Sequence, residues 1–153
     1  MSRISVANEQ SLAPVARQAS IDIAVDTNGP GFTDITPTIE DWIARERLTD
    51  GLLTLFVRHT SAAVTIQENA DPNVHLDLAD AFEELAPRRP GRRHVEEGPD
   101  DMPAHIKAVL TDTAISIPIR GGRMILGTWQ SVYLLEFRDA PRHRIVTAHY
   151  LGS

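Results

Sequence analysis

Ile21, Ile23 and Val25 alternate with Asp22, Ala24 and Asp26, the period of a strand with one buried face. Asn28-Gly29-Pro30-Gly31 interrupts it. Thr36 followed by Pro37 reads as an N-cap and first helical residue, and Ile39, Trp42 and Ile43 form a helical stripe that stops before Gly51. Leu52 to Arg58 is a dense apolar run, read as a buried strand. Ala63 to Gln67 is also extended, with Ala63, Thr65 and Gln67 on one face and Val64 and Ile66 on the other. Asp71-Pro72 opens a second helix, whose Val74, Leu78, Phe82 and Leu85 share a face ahead of Pro87. Residues 87–101 are full of Arg, Pro, Gly and acid, and a loop that long is usually functional or disordered. Met102-Pro103 starts a short third helix carrying Ile106, Val109 and Leu110.

The last third reads as strands. Ile115, Ile117 and Ile119 alternate around Pro118, which suits an edge or a bulge. Gly121-Gly122 makes a turn. Ser131 to Phe137 and Arg144 to Leu151 are two further strands, separated by the turn Asp139-Ala140-Pro141. Residues 1–19 are weakly patterned and are expected to form a partly loose arm ahead of one domain, 20–153. Many strands with three short helices, and no regular β-α alternation, predict an antiparallel α+β domain and not a doubly wound sheet.

Composition narrows the chemistry. The chain has 153 residues, 42% hydrophobic and 24% charged, which suits one self-sufficient core. Cysteine is absent, which removes disulfides, thiolate metal sites and cysteine nucleophiles. Fifteen basic against 21 acidic residues give a formal charge of −6, which disfavours nucleic acid as a partner. No run approaches the roughly 20 apolar residues of a membrane span. Met1 to Leu12 is mixed and polar, unlike a secretory signal, so a cytoplasmic location is expected.

Three groups of polar residues interrupt the apolar pattern. The first is Arg58-His59-Thr60-Ser61, followed by Gln67-Glu68-Asn69. It is either a capped strand end or a pocket wall with an imidazole, hydroxyls and a carboxylate. No Gly-x-Ser-x-Gly elbow surrounds Ser61, which argues against a hydrolase nucleophile there. The second is His94, Glu96, Glu97, Asp100, Asp101 and His105. Asp101 and His105 are one helical turn apart, and imidazole with carboxylate suits zinc or, with a phosphorylated substrate, magnesium. The same Asp101 could instead serve only as a helix N-cap. The third is Arg120-Gly121-Gly122-Arg123 with Gly127-Thr128-Trp129-Gln130, where backbone N–H groups and guanidiniums could cradle phosphate and Trp129 could stack on a ring. A plain hairpin with a packed tryptophan is the other reading. His75, His143 and His149 have no comparable neighbours and read as surface or strand-edge histidines.

The order of these motifs is more telling than any one of them. His59-Thr60-Ser61-Ala62-Ala63 with Thr65 and Glu68-Asn69, then His94, Glu97-Gly98 and Asp100-Asp101-Met102-Pro103-Ala104-His105-Ile106-Lys107, then Gly127-Thr128-Trp129-Gln130, closely resemble the YjbQ family, whose members are often labelled secondary thiamine-phosphate synthases. The match runs from about Ser20 to Gly152. Two positions depart from the family pattern: Ala70 stands where a cysteine is usual, and Val95 where an Asp often follows the first loop histidine.

The resemblance implies a β-sandwich of jelly-roll type with flanking helices, assembled as a homotrimer with a pocket between neighbouring subunits. It maps that pocket to His59, Thr60, Ser61, Glu68, Asn69, His94, Glu97, Asp101, His105, Thr128 and Gln130. The implied reaction joins hydroxymethylpyrimidine pyrophosphate to thiazole phosphate and expels pyrophosphate. For it, Glu68, His94, Glu97, Asp101 and His105 are the expected ligands of a divalent metal, magnesium or zinc. His59, His94, His105, Glu97 and Asp101 are the expected catalytic groups. Arg120 and Arg123 are expected on the phosphates, with Trp129 on the pyrimidine. A metal-dependent hydrolase and a non-catalytic module for a phosphorylated metabolite are the alternatives.

Overall fold

Leu53, Leu55 and Val57 point to one side of their strand and are at most 1% exposed, whereas Leu52 and Phe56 on the other side stay 44% and 47% exposed. That alternation sets the whole architecture. The computed structural model describes residues 14–153. Its strands are β1 (Arg17–Thr27), β2 (Gly31–Asp34), β3 (Gly51–Val57), β4 (Ala62–Glu68), β5 (Ala114–Arg120), β6 (Arg123–Met124), β7 (Gln130–Glu136) and β8 (Arg142–Gly152). The helices are α1 (Thr36–Glu46), α2 (Pro72–Leu85) and α3 (Asp101–Leu110). One sheet runs β1-β8-β3-β5-β6 and the other β2-β7-β4, and every strand pairing is antiparallel. This is the mixed antiparallel α+β domain with three helices that the pattern predicts.

The inward residues of both sheets meet in one core. Ile23, Val25, Leu53, Leu55, Ile117, Ile119, Val146, Ala148 and Tyr150 come from the larger sheet; Val64, Val132 and Leu134 come from the smaller. Ile39, Trp42 and Ile43 of α1 close the same core, and each Leu or Ile so buried contributes about 1.5–3 kcal/mol. A second cluster covers the outer face of the small sheet, where Ala63, Leu135 and Phe137 pack on Ala104 of α3 and on the half-buried Phe82 of α2. Ala63 and Val64 thus face opposite ways, as their alternation requires.

Several boundaries differ from the pattern. β1 begins at Arg17, inside the stretch expected to be loose, and residues 1–13 of that stretch lie outside the described residues. β2 falls in what reads as a turn, because Gly31 and Phe32 pair with Glu136 and Leu135. α1 stops at Arg47, whose backbone is left-handed (φ 52°), before reaching Gly51. Along α3 the expected apolar stripe fails at Val109 and Leu110, which are 84% and 56% exposed. Lys107 is buried in their place and ion-pairs with Glu83 of α2. Leu85 of α2 is likewise 66% exposed. Among the described residues no helix is long and apolar enough to cross a membrane.

Candidate metal and anion site

The site is built where the long loop Ala86–Asp100 runs into α3. Asp101 opens α3 and is 1% exposed. Its Oδ2 lies 2.5 Å from His94 Nε2 and 3.1 Å from His105 Nε2, so two imidazoles converge on one buried oxygen. His105 sits one turn along α3 from Asp101, as its spacing predicts. Its other nitrogen, Nδ1, donates to the Thr60 carbonyl at 2.9 Å. That bond fixes which ring nitrogen carries hydrogen and leaves the Nε2 lone pair facing a carboxylate lone pair. Such a pair repels unless a cation lies between them, either a proton on the ring or a metal ion. The three donor atoms lie within 4.8 Å of one another. Zinc bonds of about 2.0–2.2 Å would put donors about 3.3 Å apart, and here Asp101 Oδ2 lies 2.5 and 3.1 Å from the two imidazole nitrogens. The donor set fits a divalent ion.

Arg138, 6% exposed, holds this carboxylate from behind. Its guanidinium donates to Asp101 Oδ1, to Asp100 Oδ2 at 2.9 Å and to the Glu97 carbonyl at 2.8 Å. Burial pushes the Asp101 carboxyl up. The hydrogen bond from His94 and the charge of Arg138 more than reverse that, so its pKa lies below the usual aspartate range. For Asp100 burial is again the largest influence and is again reversed, by the Asp139 N–H and by Arg138. Asp101 is therefore a paired, ionised carboxylate and not a side-chain N-cap; the N-cap position is Asp100, which makes no side-chain cap bond.

His94 also lines a cavity of about 450 Å3, walled by Arg88, Arg89, Arg92, Val95, Gly98, Pro99 and Met102. Arg88 is tied to Asp139 at 2.6 Å. Arg92 reaches the Pro87 carbonyl through Nη2, while its buried Nε has no partner. Val95, where the family pattern has a carboxylate, is 62% exposed on the cavity wall and adds no ligand.

The remaining expected site residues lie elsewhere. His59 Nε2 accepts the Ile145 N–H at 2.8 Å, so this nitrogen is already used, and burial and the Arg144 charge keep its pKa below the usual value. The Ser61 hydroxyl is buried against Arg144 at 2.9 Å. The Glu97 carboxylate is exposed, 3.8 Å from Arg138, and is not among the converging donors. Neither is Glu68, at the end of β4, whose carbonyl takes His75 at 2.7 Å. Asn69 ties the chain to the Thr128 and Gln130 carbonyls and to Ser131 Oγ. Asn69, Arg123, Gly127, Gln130 and Ser131 line a separate polar cleft of about 800 Å3. The Gly121 and Gly122 amides are not free for phosphate, because they donate to Asp50 Oδ1 and the Thr49 carbonyl. Trp129 is 63% exposed, beside Gln67, Glu68 and Val74. His75 stacks on Phe32, and His143 pairs with Asp26 at 2.6 Å, both structural uses.

Residues 21–153 match the family profile described as "UPF0047 protein YjbQ-like". The chain belongs to the YjbQ/UPF0047 family. The UPF0047 protein sll1880 of Synechocystis is 46% identical over 144 residues, spanning 94% of this chain and 98% of its own. YjbQ of Escherichia coli O157:H7 is 38% identical over 132 residues, 86% and 96% of the two chains. Among solved structures, a conserved hypothetical protein of Thermus thermophilus is 41% identical with a TM-score of 0.75, covering 84% of this chain and 97% of its own. A family member from Clostridium acetobutylicum gives 0.76 at 36% identity, with coverage of 84% and 97%. Within this YjbQ-like chain, His94, Asp101 and His105 come together, while His59 and Glu68 lie apart from them. Arg138, Glu136 and Arg144 escape the motif reading altogether. Two of them do carry a signal, charge among the inward positions of apolar strands: Glu136 on β7 and Arg144 on β8.

Proposed function

We propose that the chain holds a divalent metal at His94, Asp101 and His105 and acts there on a small phosphorylated metabolite seated in the arginine-lined cavity. The observation that carries this reading is the convergence of two imidazole Nε2 atoms on one buried, ionised oxygen of Asp101. The tautomer of His105 set by Thr60 is the one a metal ligand needs. Two imidazoles and one carboxylate suit zinc better than magnesium. Bound there, the ion supplies Lewis-acid charge to an oxygen of the phosphate or of its leaving group. The protein's own part is threefold. Arg138 keeps Asp101 ionised, Thr60 orients His105, and Arg89 and Arg92 offer guanidiniums to an anion beside His94.

The reaction that the family resemblance implies, condensation of hydroxymethylpyrimidine pyrophosphate with thiazole phosphate, fits this division. Its leaving group is polyanionic, and cations placed around it lower the barrier. We also assign the two-sheet body to the jelly-roll type and the working assembly to a cytoplasmic homotrimer. Leu52, Phe56 and Leu151, each 44–47% exposed on one face of the larger sheet, favour association. Association would also let the Asn69–Gln130 cleft of one copy approach the metal group of another.

The test is to incubate zinc-loaded or magnesium-supplemented protein with both precursors and follow pyrophosphate release, with Asp101→Ala as control. Metal-dependent release that the variant loses supports the synthase. Hydrolysis of one precursor alone would replace that reaction with hydrolase chemistry, and tight binding without turnover would make the chain a sensor. Light scattering at several concentrations decides the trimer.

A further inference from the structure

The candidate metal group is closed from behind by a circuit of hydrogen bonds that passes through four separate parts of the chain. From Asp101 Oδ2 it runs to His105, and from His105 Nδ1 to the Thr60 carbonyl. The next residue, Ser61, takes two contacts from Arg144 Nη2, at 2.9 Å on Oγ and 3.3 Å on the carbonyl. Arg144 then grips Glu136 with two bonds, 2.6 and 2.7 Å. Glu136 Oε1 accepts the Arg138 backbone N–H at 2.9 Å, and the Arg138 guanidinium returns to Asp101 Oδ1. Glu136 is 2% exposed, Arg144 5% and Ser61 7%, so most of the circuit lies inside the protein.

The Glu136–Arg144 pair is an odd choice for stability alone. A buried ion pair loses most of its attraction to desolvation, and a packed apolar pair would serve as well or better. What an apolar pair cannot do is hold two remote polar anchors in register. One anchor is the Thr60-Ser61 backbone, which determines where His105 points its Nε2. The other is the Arg138 backbone, which determines which oxygen of Asp101 is left for the histidines. We propose that Glu136 and Arg144 are positioning residues for the His94–Asp101–His105 group, fixing the hydrogen placement on His105 and the orientation of Asp101. Its consequence for metal affinity rests on the function proposed above; its consequence for His105 does not.

The experiment uses the full chain, metal-free, with 15N–1H correlation spectra of the histidine rings. Wild type, Glu136→Gln, Arg144→Lys and Ser61→Ala are compared, then each is titrated with zinc. The His105 Nδ1 proton is expected as a protected resonance in wild type, exchanging about tenfold faster or more in the variants. Zinc affinity is expected to fall about 10- to 100-fold, the usual effect of removing an outer-shell partner. Ser61→Ala removes one hydroxyl acceptor and keeps the carbonyl contact, so it decides the matter should Glu136→Gln fail to fold. An unchanged His105 proton in the folded variants overturns the proposal. Failure of the wild-type chain to bind zinc overturns the metal reading alone, since the His105 resonance still judges the pair.

Discussion

Arg138 occupies Oδ1 of Asp101 and so reserves Oδ2 for His94 and His105. One guanidinium thereby sets both the charge and the aim of the carboxylate on which the site depends. Arg138→Met should leave Asp100 with only the Asp139 N–H and Asp101 with only its two imidazoles, two buried carboxylates without their guanidinium, at a cost of about 3–5 kcal/mol in urea unfolding. Arg138→Lys keeps the charge but not the planar fork, and should recover only part of that loss. Equal stability of wild type and Arg138→Met would show that the pairing contributes nothing.

Acid should unfold the protein in two stages. His59 has a depressed pKa in the folded chain, and protonating its Nε2 would set a donor against the Ile145 N–H. The unfolded chain therefore takes up this proton first, and stability falls as pH drops below about 6.5. Asp100, Asp101 and Glu136 also have depressed pKa values, so their contribution is full above about pH 4 and is lost as pH falls through their folded values. Thermal unfolding from pH 8 to pH 2 should show both declines. A melting temperature that stayed flat from pH 5 to pH 2 would contradict the carboxylate pairing.

Gly51 and Gly152 face each other across β3 and β8 because nothing larger fits. A Cβ on Gly152 would overlap the Asp50 carbonyl oxygen and the Tyr150 hydroxyl. Tyr150 is fully buried, and its hydroxyl lies 2.8 Å from that same carbonyl. Gly152→Ala must push the strands apart, and should cost at least about 1–3 kcal/mol in chemical denaturation. Gly91→Ala meets no atom within 4 Å and strains only the local backbone (φ +85°), so it should cost less.

If the cavity beside His94 seats an anion, its arginines should matter in a salt-dependent way. Arg89→Ala and Arg92→Ala should each weaken pyrophosphate binding by calorimetry, with the loss shrinking as ionic strength rises. Unchanged binding in the double variant would move the anion elsewhere, with Arg123 in the polar cleft the next candidate.

Local periodicity made most of the fold legible. The alternations at Ile21–Val25, Ala63–Gln67 and Ile115–Ile119 correspond to β1, β4 and β5, and the Asp71-Pro72 signal marks the start of α2, where Asp71 accepts the Asn73 N–H. β2 was not legible because its four residues are made a strand by pairing with β7, a contact between distant parts of the chain. The burial of Lys107 was hidden for the same reason, since its partner Glu83 lies on another helix. In the site, the one-turn spacing of Asp101 and His105 could be read directly. Arg138 could not, because it follows a strand end with no motif around it, and only the tertiary fold brings it behind Asp101.

The most direct measurement is a zinc titration of the metal-free chain, by calorimetry and elemental analysis, for wild type, Asp101→Asn and His105→Ala. The account predicts one ion bound per chain in wild type, and binding lost or weakened at least about 100-fold in both variants while they remain folded. Wild-type protein that takes up no ion, or variants that bind as tightly as wild type, would contradict it.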